Sequence, residues 1–328
     1  MIVVTGATGH IGNVLTKELV SKGENVRIAI PKTEGIESLK DVIDRVERVD
    51  CDVRNYDSVR KAVIGADIVY HLAGIVSTTG GNDKLIHDVN VNGTKNVARA
   101  CLEEHVKRLV YTSSVHAFIE PEGAICLDET AEINPNKAKD PYAKSKAEAT
   151  LAVREAVKSG LDAVVVFPSG VIGPYDYKRS ELGQLMIDYA QKKFRVYLDG
   201  AYDFVDVRDV IAGEISAAEK GRRGEEYLLS GVKVTVKELF DLLERATGVK
   251  APTFKVPHFL ANMISDVAPI YYKIRHTKPQ FTRYSIAVLN SNCFMSHRKA
   301  DEELGFKTRE AYESIRDSIN WFKENGEI

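Results

Sequence analysis

Short runs of β-branched and apolar residues alternate with amphipathic segments through the first half of the chain. Continuous apolar runs of this length are typical of strands buried on both faces. Between them, segments such as NVLTKELVSKG place apolar residues three and four positions apart, which is helical spacing. The alternation predicts an α/β protein with an open parallel sheet and right-handed crossovers. The strand-like runs lie at 2–4, 26–30, 67–73, 108–114 and 163–169.

Composition and charge narrow the classes of function. The 328 residues are 44% hydrophobic, enough for a globular core, and the formal net charge is −2. No basic run reaches five residues, so we expect no nucleic-acid partner. No signal-peptide pattern and no apolar run of about 18 residues is present, so we expect no membrane association. Four widely spaced cysteines predict free thiols in a cytoplasmic protein without a metal site: Cys51, Cys101, Cys126 and Cys293.

A glycine-rich loop, TGATGHIG, directly follows the first strand-like run. Gly6 allows the sharp exit from the strand, and Gly9 lets backbone N–H groups approach a pyrophosphate. Gly12 lets the following helix pack close to the sheet. A glycine turn alone also marks ordinary tight turns. Between a strand and a helix at the start of a parallel sheet, it predicts a dinucleotide-binding site.

The end of the second strand-like run bears on which dinucleotide binds. An acid at this point typically selects NAD by bonding the ribose 2′-hydroxyl. The chain continues Ile30, Pro31, Lys32, so we expect no carboxylate at this corner. Lys32 suits a 2′-phosphate, which favours NADP(H) over NAD(H), although many lysines are simply solvated. Asp52 and Val53, in the stretch VDCDVRN, are expected to border the adenine, unless Asp52 is a turn residue.

The stretch DPYAKSKAE holds one tyrosine and two lysines. Tyr142 and Lys146 are four positions apart, so they share one face of a helix, whereas Lys144 points elsewhere. Asp140 and Pro141 are typical of a helix start. A free phenol has a pKa of about 10, and we expect a neighbouring ammonium to lower it toward neutrality. The pair predicts a general acid/base, although this spacing is also frequent on exposed helices.

Two serines end the fourth of these strands, where ligands bind in parallel sheets. Ser113 and Ser114 could each bond a substrate oxygen, or cap a turn or helix. His116 is expected either to face the same cleft or to be a partly exposed loop histidine.

Six motifs occur together in one order and approximate spacing. They are TGATGHIG, HLAG at 71–74, NVNGT at 90–94, YTSS at 111–114, YAKSK at 142–146 and PSGVIGP at 168–174. In these motifs the chain resembles the extended short-chain dehydrogenases/reductases, most strongly over the first 175 residues. The resemblance implies a Rossmann-type doubly wound parallel sheet with a smaller C-terminal substrate-binding domain. It also implies a homodimer through helices near 83–104 and 142–159.

Individual roles follow from the same resemblance. Tyr142 would be the acid/base, and Lys146 would lower its pKa and hold the nicotinamide ribose. Ser114 would orient the substrate oxygen, and Asn90 would support a water relay to the lysine. The other residues expected at the cofactor are Gly6, Thr8, Gly9, His10, Ile11, Gly12, Lys32, Asp52, Val53, Leu72, Ala73, Gly74, Pro168, Ser169 and Val171.

The chain is expected to form two interdependent domains. After Gly173 the regular alternation breaks down through GPYDYKRSELGQ, and core-like sequence returns at DFVDVRDVIAGEI. We expect residues 1–172, rejoined by about 201–230, to form the NAD(P)-binding domain. Residues 173–200 and 231–328 are expected to form the substrate-binding domain.

Departures from the family pattern separate its subclasses. Dehydratases carry an Asp-Glu pair where Ser113 and Ser114 stand, and sugar-nucleotide epimerases usually have a diphosphate-binding arginine where Tyr202 stands. FVDVRDVIAGEI followed by YLLSG is similar to dihydroflavonol-reductase-like and 3β-hydroxysteroid-dehydrogenase-like members, which typically reduce ketones or aldehydes with NADPH.

The resemblance therefore favours an NADP(H)-dependent enzyme that reduces a ketone or aldehyde on a small, largely apolar substrate. Two alternatives stay open, an NAD-dependent nucleotide-sugar epimerase and a non-catalytic NADP-binding regulatory protein. Several aromatic residues could wall an apolar pocket or belong to the ordinary core: Tyr175, Tyr177, Phe204, Tyr271, Tyr272 and Phe281.

Overall fold

A seven-stranded parallel sheet forms the centre of the protein. The structure, a computed structural model, describes residues 1–76, 82–121, 123, 125–257 and 293–328. The strands are β1 (Ile2–Thr5), β2 (Val26–Ile30), β3 (Glu47–Asp50), β4 (Ile68–His71), β5 (Arg108–Thr112), β6 (Ala163–Pro168), β7 (Gly170–Ile172), β8 (Val196–Leu198), β9 (Ala201–Asp206), β10 (Glu226–Leu229), β11 (Val232–Thr235) and β12 (Phe254–Val256).

The order of the strands creates a crevice at one edge of the main sheet. The order is β10-β6-β5-β4-β1-β2-β3, and all neighbouring strands are parallel. Chain order reverses between β1 and β4, and ligands of open parallel sheets bind at such a point, outside the carboxyl ends of the strands. The predicted Rossmann-type fold class is confirmed.

Two layers of helices bury the faces of this sheet. The helices are α1 (His10–Ser21), α2 (Tyr56–Val63), α3 (Asp83–His87), α4 (Gly93–Glu103), α5 (Pro141–Lys158), α6 (Glu181–Ala190), α7 (Val207–Lys220), α8 (Val236–Thr247), α9 (Arg298–Leu304) and α10 (Ala311–Glu324). Helices α1, α7 and α9 share one apolar core with the sheet. Helices α2, α4 and α5 share the other. All six residues of β6 are buried, as an apolar run between two helical layers requires.

A second, smaller structure stands beside the carboxyl edge. Its three-stranded sheet pairs β7 with β9 in parallel and β9 with β11 antiparallel, and β8 pairs with β12. Helices α6, α8 and α10 pack around it in a third apolar core that includes Leu243, Ile319 and Phe322. Strand β10 returns to the main sheet beside β6. The sequence places β7 and β9 in the NAD(P)-binding domain. In the structure they share the smaller sheet with β11, which the sequence places in the substrate-binding domain. The two-domain division stays a prediction.

The expectations on membrane spans, metal sites and the dimer interface can be compared with the described residues. Among those residues no helix combines the length and the apolarity needed to cross a membrane. Nor do the described ranges contain a group of three or more histidine, cysteine or acidic side chains suited to a metal ion. The helices expected at a dimer interface, α4 and α5, pack against each other, and the homodimer stays a prediction. Tyr271, Tyr272 and Phe281 lie outside the described residues.

Candidate active site

The glycine loop connects β1 to α1 at the crevice. Gly6 has φ +69°, and a Cβ there would lie 2.7 Å from the backbone nitrogen of Ala73. A Cβ on Gly12 would overlap the Gly6 carbonyl oxygen. Gly9 is the N-cap of α1, and the first turn of the helix has neither a side-chain cap nor an acidic residue. Its free N–H groups and the helix dipole therefore suit a pyrophosphate, so the residues fit a dinucleotide.

The segment after β7 lies against this loop. The Nε2 atom of His10 is 2.9 Å from the carbonyl oxygen of Pro174. The Asn13 side chain donates to the carbonyl of Tyr175 at 3.1 Å. Lys178 Nζ donates to Thr8 Oγ1 at 3.1 Å. The start of the second structure is thereby bonded to the glycine loop.

A carboxylate does occupy the corner beyond β2, so the expectation of none is wrong. The chain turns back after Pro31, with the Glu34 N–H donating to the Pro31 carbonyl at 3.0 Å. Glu34 Oε1 accepts from Thr8 Oγ1 at 2.9 Å and pairs with Lys178. The bond from Lys178 is the main cause that lowers the pKa of Glu34. Lys32 extends into solvent, 82% exposed, with Nζ 3.8 Å from Asp50.

Helix α5 carries the tyrosine and the lysine. Asp140 caps its N-terminus by accepting from the Ala143 N–H at 2.8 Å, and Pro141 occupies the first turn. Tyr142 and Lys146 are each 7% exposed. Lys146 Nζ donates to the Thr112 carbonyl at 2.8 Å, which fixes the ammonium at the end of β5.

The pKa of Tyr142 shifts in the direction opposite to the sequence expectation. Burial raises it to about 12, and a hydrogen bond with Ser114 opposes that rise only in part. Burial also lowers the pKa of Lys146 to about 8, because desolvation disfavours an ammonium. The phenol is therefore protonated throughout the neutral range and is available as a proton donor.

The two serines after β5 have different environments. Ser114 Oγ accepts from the His116 N–H at 3.3 Å, so it caps a short 3₁₀ turn, and it also bonds Tyr142. Ser113 Oγ is buried and shares a 2.7 Å hydrogen bond with Thr150 of α5. Ser113 thus joins the helix to the sheet, and Ser114 is the hydroxyl beside the phenol.

An aromatic wall stands next to Tyr142. The His116 ring lies 6.1 Å from the Tyr142 ring, edge to face, and His116 Nε2 is 2.9 Å from Tyr202 Oη. Burial lowers the pKa of His116, which favours the neutral imidazole. Phe204 packs against Tyr202 at 5.7 Å within the third apolar core. Tyr175 lies apart from this wall, against Trp321.

Asn90 holds a loop rather than the lysine directly. Its amide nitrogen donates to the Ile75 carbonyl at 3.0 Å and to Ser145 Oγ at 2.9 Å. Its oxygen accepts from the Ile75 N–H at 2.7 Å. A Cβ on Gly74 would lie 3.3 Å from that oxygen and 3.8 Å from Lys146 Nζ. Asn90 therefore fixes the exit from β4, residues Leu72, Ala73 and Gly74, beside α5.

The remaining expected cofactor residues lie along the same edge of the sheet. Ser169 Oγ donates to Asp203 at 2.5 Å, between Pro168 at the end of β6 and the half-buried Val171. Asp52 closes a turn by accepting from the Arg54 N–H at 3.0 Å, which agrees with the turn interpretation. Val53 is buried against Gly93. Ile11 is half-buried in the first turn of α1.

Sequence reasoning missed a carboxyl group beneath this site. Glu214 of α7 is fully buried and accepts from Thr112 Oγ1 at 2.7 Å. A sequence signal for it exists, because Glu214 lies four residues after Val210 and three before Ala217, on the apolar face of its helix. His71 was missed as well. It is bonded at 2.8 Å to Thr5 and at 2.9 Å to Thr94.

A dinucleotide loop with a serine, tyrosine and lysine at one sheet edge defines the class: the chain is an NAD(P)-dependent oxidoreductase of the extended short-chain dehydrogenase/reductase type. A family model described as "NAD dependent epimerase/dehydratase family" matches residues 2–230. The chain belongs to that family, and the predicted resemblance is confirmed.

Three similar proteins extend this comparison over the whole chain. "Sterol demethylase protein B" of Methylococcus capsulatus is 35% identical over 330 residues, covering 99% of each chain. A "putative dihydroflavonol 4-reductase" of Synechocystis is 26% identical, covering 99% of this chain and 95% of the relative. The crystal structure of gox2253 superposes with a TM-score of 0.88 at 28% identity, covering 100% of this chain and 99% of the other.

Two alanine substitutions separate the tasks of the loop glycines. Gly12→Ala should weaken NADPH binding by roughly tenfold or more and also lower the melting temperature, because its Cβ collides with backbone. Gly9→Ala, whose Cβ meets only the Gly6 oxygen at 3.3 Å, should weaken binding but leave the melting temperature nearly unchanged. Calorimetry and thermal unfolding measure both effects. Wild-type affinity in both variants would exclude the loop as the pyrophosphate site.

Proposed function

We propose that this chain is an NADP(H)-dependent reductase of a ketone or aldehyde on a small, largely apolar substrate. The observation that carries the proposal is the buried Tyr142 phenol, bonded to Ser114 and one helical turn from a buried Lys146. A phenol held in this state can donate a proton to a carbonyl oxygen as negative charge develops on it.

The side chains divide the work of such a reduction. Bound NAD(P)H supplies the hydride. The Ser114 hydroxyl orients the carbonyl oxygen, and Tyr142 gives that oxygen its proton. The Lys146 ammonium has three donors, one of which is used by the Thr112 carbonyl, so two can bond the nicotinamide ribose. Its positive charge stabilises the phenolate that remains after the transfer.

The charges around the β2 corner support a preference for NADP(H). Lys32 is 82% exposed, and Arg48 donates to the Lys32 carbonyl at 3.2 Å. The Glu34 charge, which would repel a phosphate, is paired with Lys178. Lys32, Arg48 and Lys178 thus place three cations near this corner, and a 2′-phosphate is a suitable partner for them.

The wall of the cleft supports a substrate without a diphosphate. Tyr202 occupies the position where the resemblance expects an epimerase arginine, and it bonds a neutral His116. This pair offers aromatic surface and no positive charge for a phosphate group. The names of two relatives refer to a sterol and a dihydroflavonol. We therefore propose sterol ketones and dihydroflavonols as the first substrates to test.

Removal of the phenol hydroxyl tests the acid role. Tyr142→Phe should reduce turnover by roughly two to four decades and leave NADPH affinity nearly unchanged. Steady-state kinetics on any accepted ketone, combined with calorimetric titration of NADPH, measures the two quantities. Full activity in this variant would disprove the assignment of Tyr142.

Paired titrations with NADPH and NADH test the cofactor preference. Lys32→Met should weaken NADPH binding by roughly tenfold and leave NADH binding unchanged, because only NADPH has the 2′-phosphate. Lys22→Met, at the C-terminal end of α1, is a matched loss of charge and should change neither affinity.

The same titrations repeated with UDP-glucose separate the two enzyme classes. NADPH preference without UDP-glucose binding supports the reductase. Tight binding of NADH together with UDP-glucose would replace it with the nucleotide-sugar epimerase.

A further inference from the structure

Glu214 is a buried carboxyl group with an incomplete set of partners. It is 0% exposed, on the face of the main sheet covered by α1 and α7. Oε1 accepts from Thr112 Oγ1 at 2.7 Å, whereas Oε2 has no hydrogen-bond partner among the described residues. A carboxyl in such a place costs stability, and an apolar side chain of similar size often costs none. Stability of the fold therefore does not account for this residue.

Thr112 connects Glu214 to the active site through the sheet. Its side chain points toward α7 and donates to Glu214. Its backbone carbonyl accepts from Lys146 Nζ at 2.8 Å on the opposite side, where α5 packs. One residue thus contacts both a buried cation and a buried acid. Both side chains are buried, so solvent screens their attraction less than it would at the surface.

We propose that Glu214 is a positioning residue that keeps Lys146 charged and in place through Thr112. The inference rests on the proposed function, because Lys146 is the residue on which it acts. The attraction favours the ammonium, and the Thr112 hydrogen bonds hold the two groups at fixed positions relative to each other.

The ionisable groups around Glu214 determine how its effect on Lys146 depends on pH. Lys146 faces it across Thr112, and the phenol of Tyr70 in β4 interacts with it on its own side of the sheet. Three of the other four charged residues of α7 have separate partners: Asp209 pairs with Arg309, Arg208 with Asp206, and Lys220 with a carbonyl of α9. The fourth, Glu219, interacts with the Tyr70 phenol.

Burial raises the pKa of Glu214 and lowers the pKa of Lys146, because it disfavours the charged form of both groups. The attraction between the carboxylate and the ammonium opposes both shifts. The carboxylate extends the range of the charged lysine toward higher pH, since each ionisation stabilises the other.

The direct test is to titrate Lys146 by NMR in the full-length protein with ¹³Cε-labelled lysine, using Lys146→Met to assign its signal. Glu214→Gln and Glu214→Met should each lower the Lys146 pKa by roughly one unit, because they remove a negative charge that raises it. Asp209→Asn removes another buried carboxylate of the same helix, and it should leave the Lys146 pKa unchanged. An unchanged Lys146 pKa in folded Glu214→Met would overturn the proposal.

Two features make the outcome independent of folding and of turnover. Methionine fills the space of Glu214 and leaves no buried polar atom without a hydrogen bond. Glu214→Met should therefore fold even where Glu214→Gln does not. The NMR titration needs no substrate, so it decides the role of Glu214 even if the chain proves not to be a reductase. If the chain is a reductase, the alkaline limb of its kcat/KM profile should also move to lower pH, by roughly one pH unit, in both Glu214 variants. The profile of Asp209→Asn should not move.

Discussion

The burial of the Lys146 ammonium is the constraint on which the rest of the active site depends. A charge removed from water must find a partner, and Lys146 finds the Thr112 carbonyl at the carboxyl end of β5. Together with the Ser113–Thr150 hydrogen bond, that bond connects α5 to the end of β5, where Ser114 follows. The glycine at position 74 leaves room for the ammonium and for Asn90 in the same corner.

In the corner beyond β2, charged side chains pair with each other near the surface. Here the cations and anions are exposed or half-buried, and Lys178 reaches Glu34 from a segment 144 residues farther along the chain. Exposed pairs of this kind contribute little to stability. The proposed preference for NADP(H) would give these pairs a role in recognition, because a phosphate that enters such a corner exchanges one set of partners for another without desolvating an isolated charge.

The sequence predicted features that depend on local spacing and failed for those that depend on distant contacts. Apolar runs predicted five of the seven strands of the main sheet, and the four-residue spacing placed Tyr142 and Lys146 on one face of α5. The edge strand β3 was missed as a run because its sequence, ERVD, is largely polar. The turn after Pro31 that brings Glu34 back to Thr8 has no local pattern that specifies its direction. The upward shift of the Tyr142 pKa arises from burial under the aromatic wall, in which Tyr202 comes from another sheet. The sequence does not show which of the two serines, Ser113 or Ser114, faces the active site. The structure distinguishes them, because Ser113 bonds Thr150 of α5.

The contacts between the glycine loop and the segment after β7 have a kinetic consequence. His10, Asn13 and Thr8 bond residues 174–178, which lead into the second structure and its part of the substrate cleft. A dinucleotide bound at the loop would lie against the residues that hold that segment in place. We therefore expect compulsory-order kinetics, with the dinucleotide adding first and leaving last, and the substrate cleft reaching its final shape only in the binary complex.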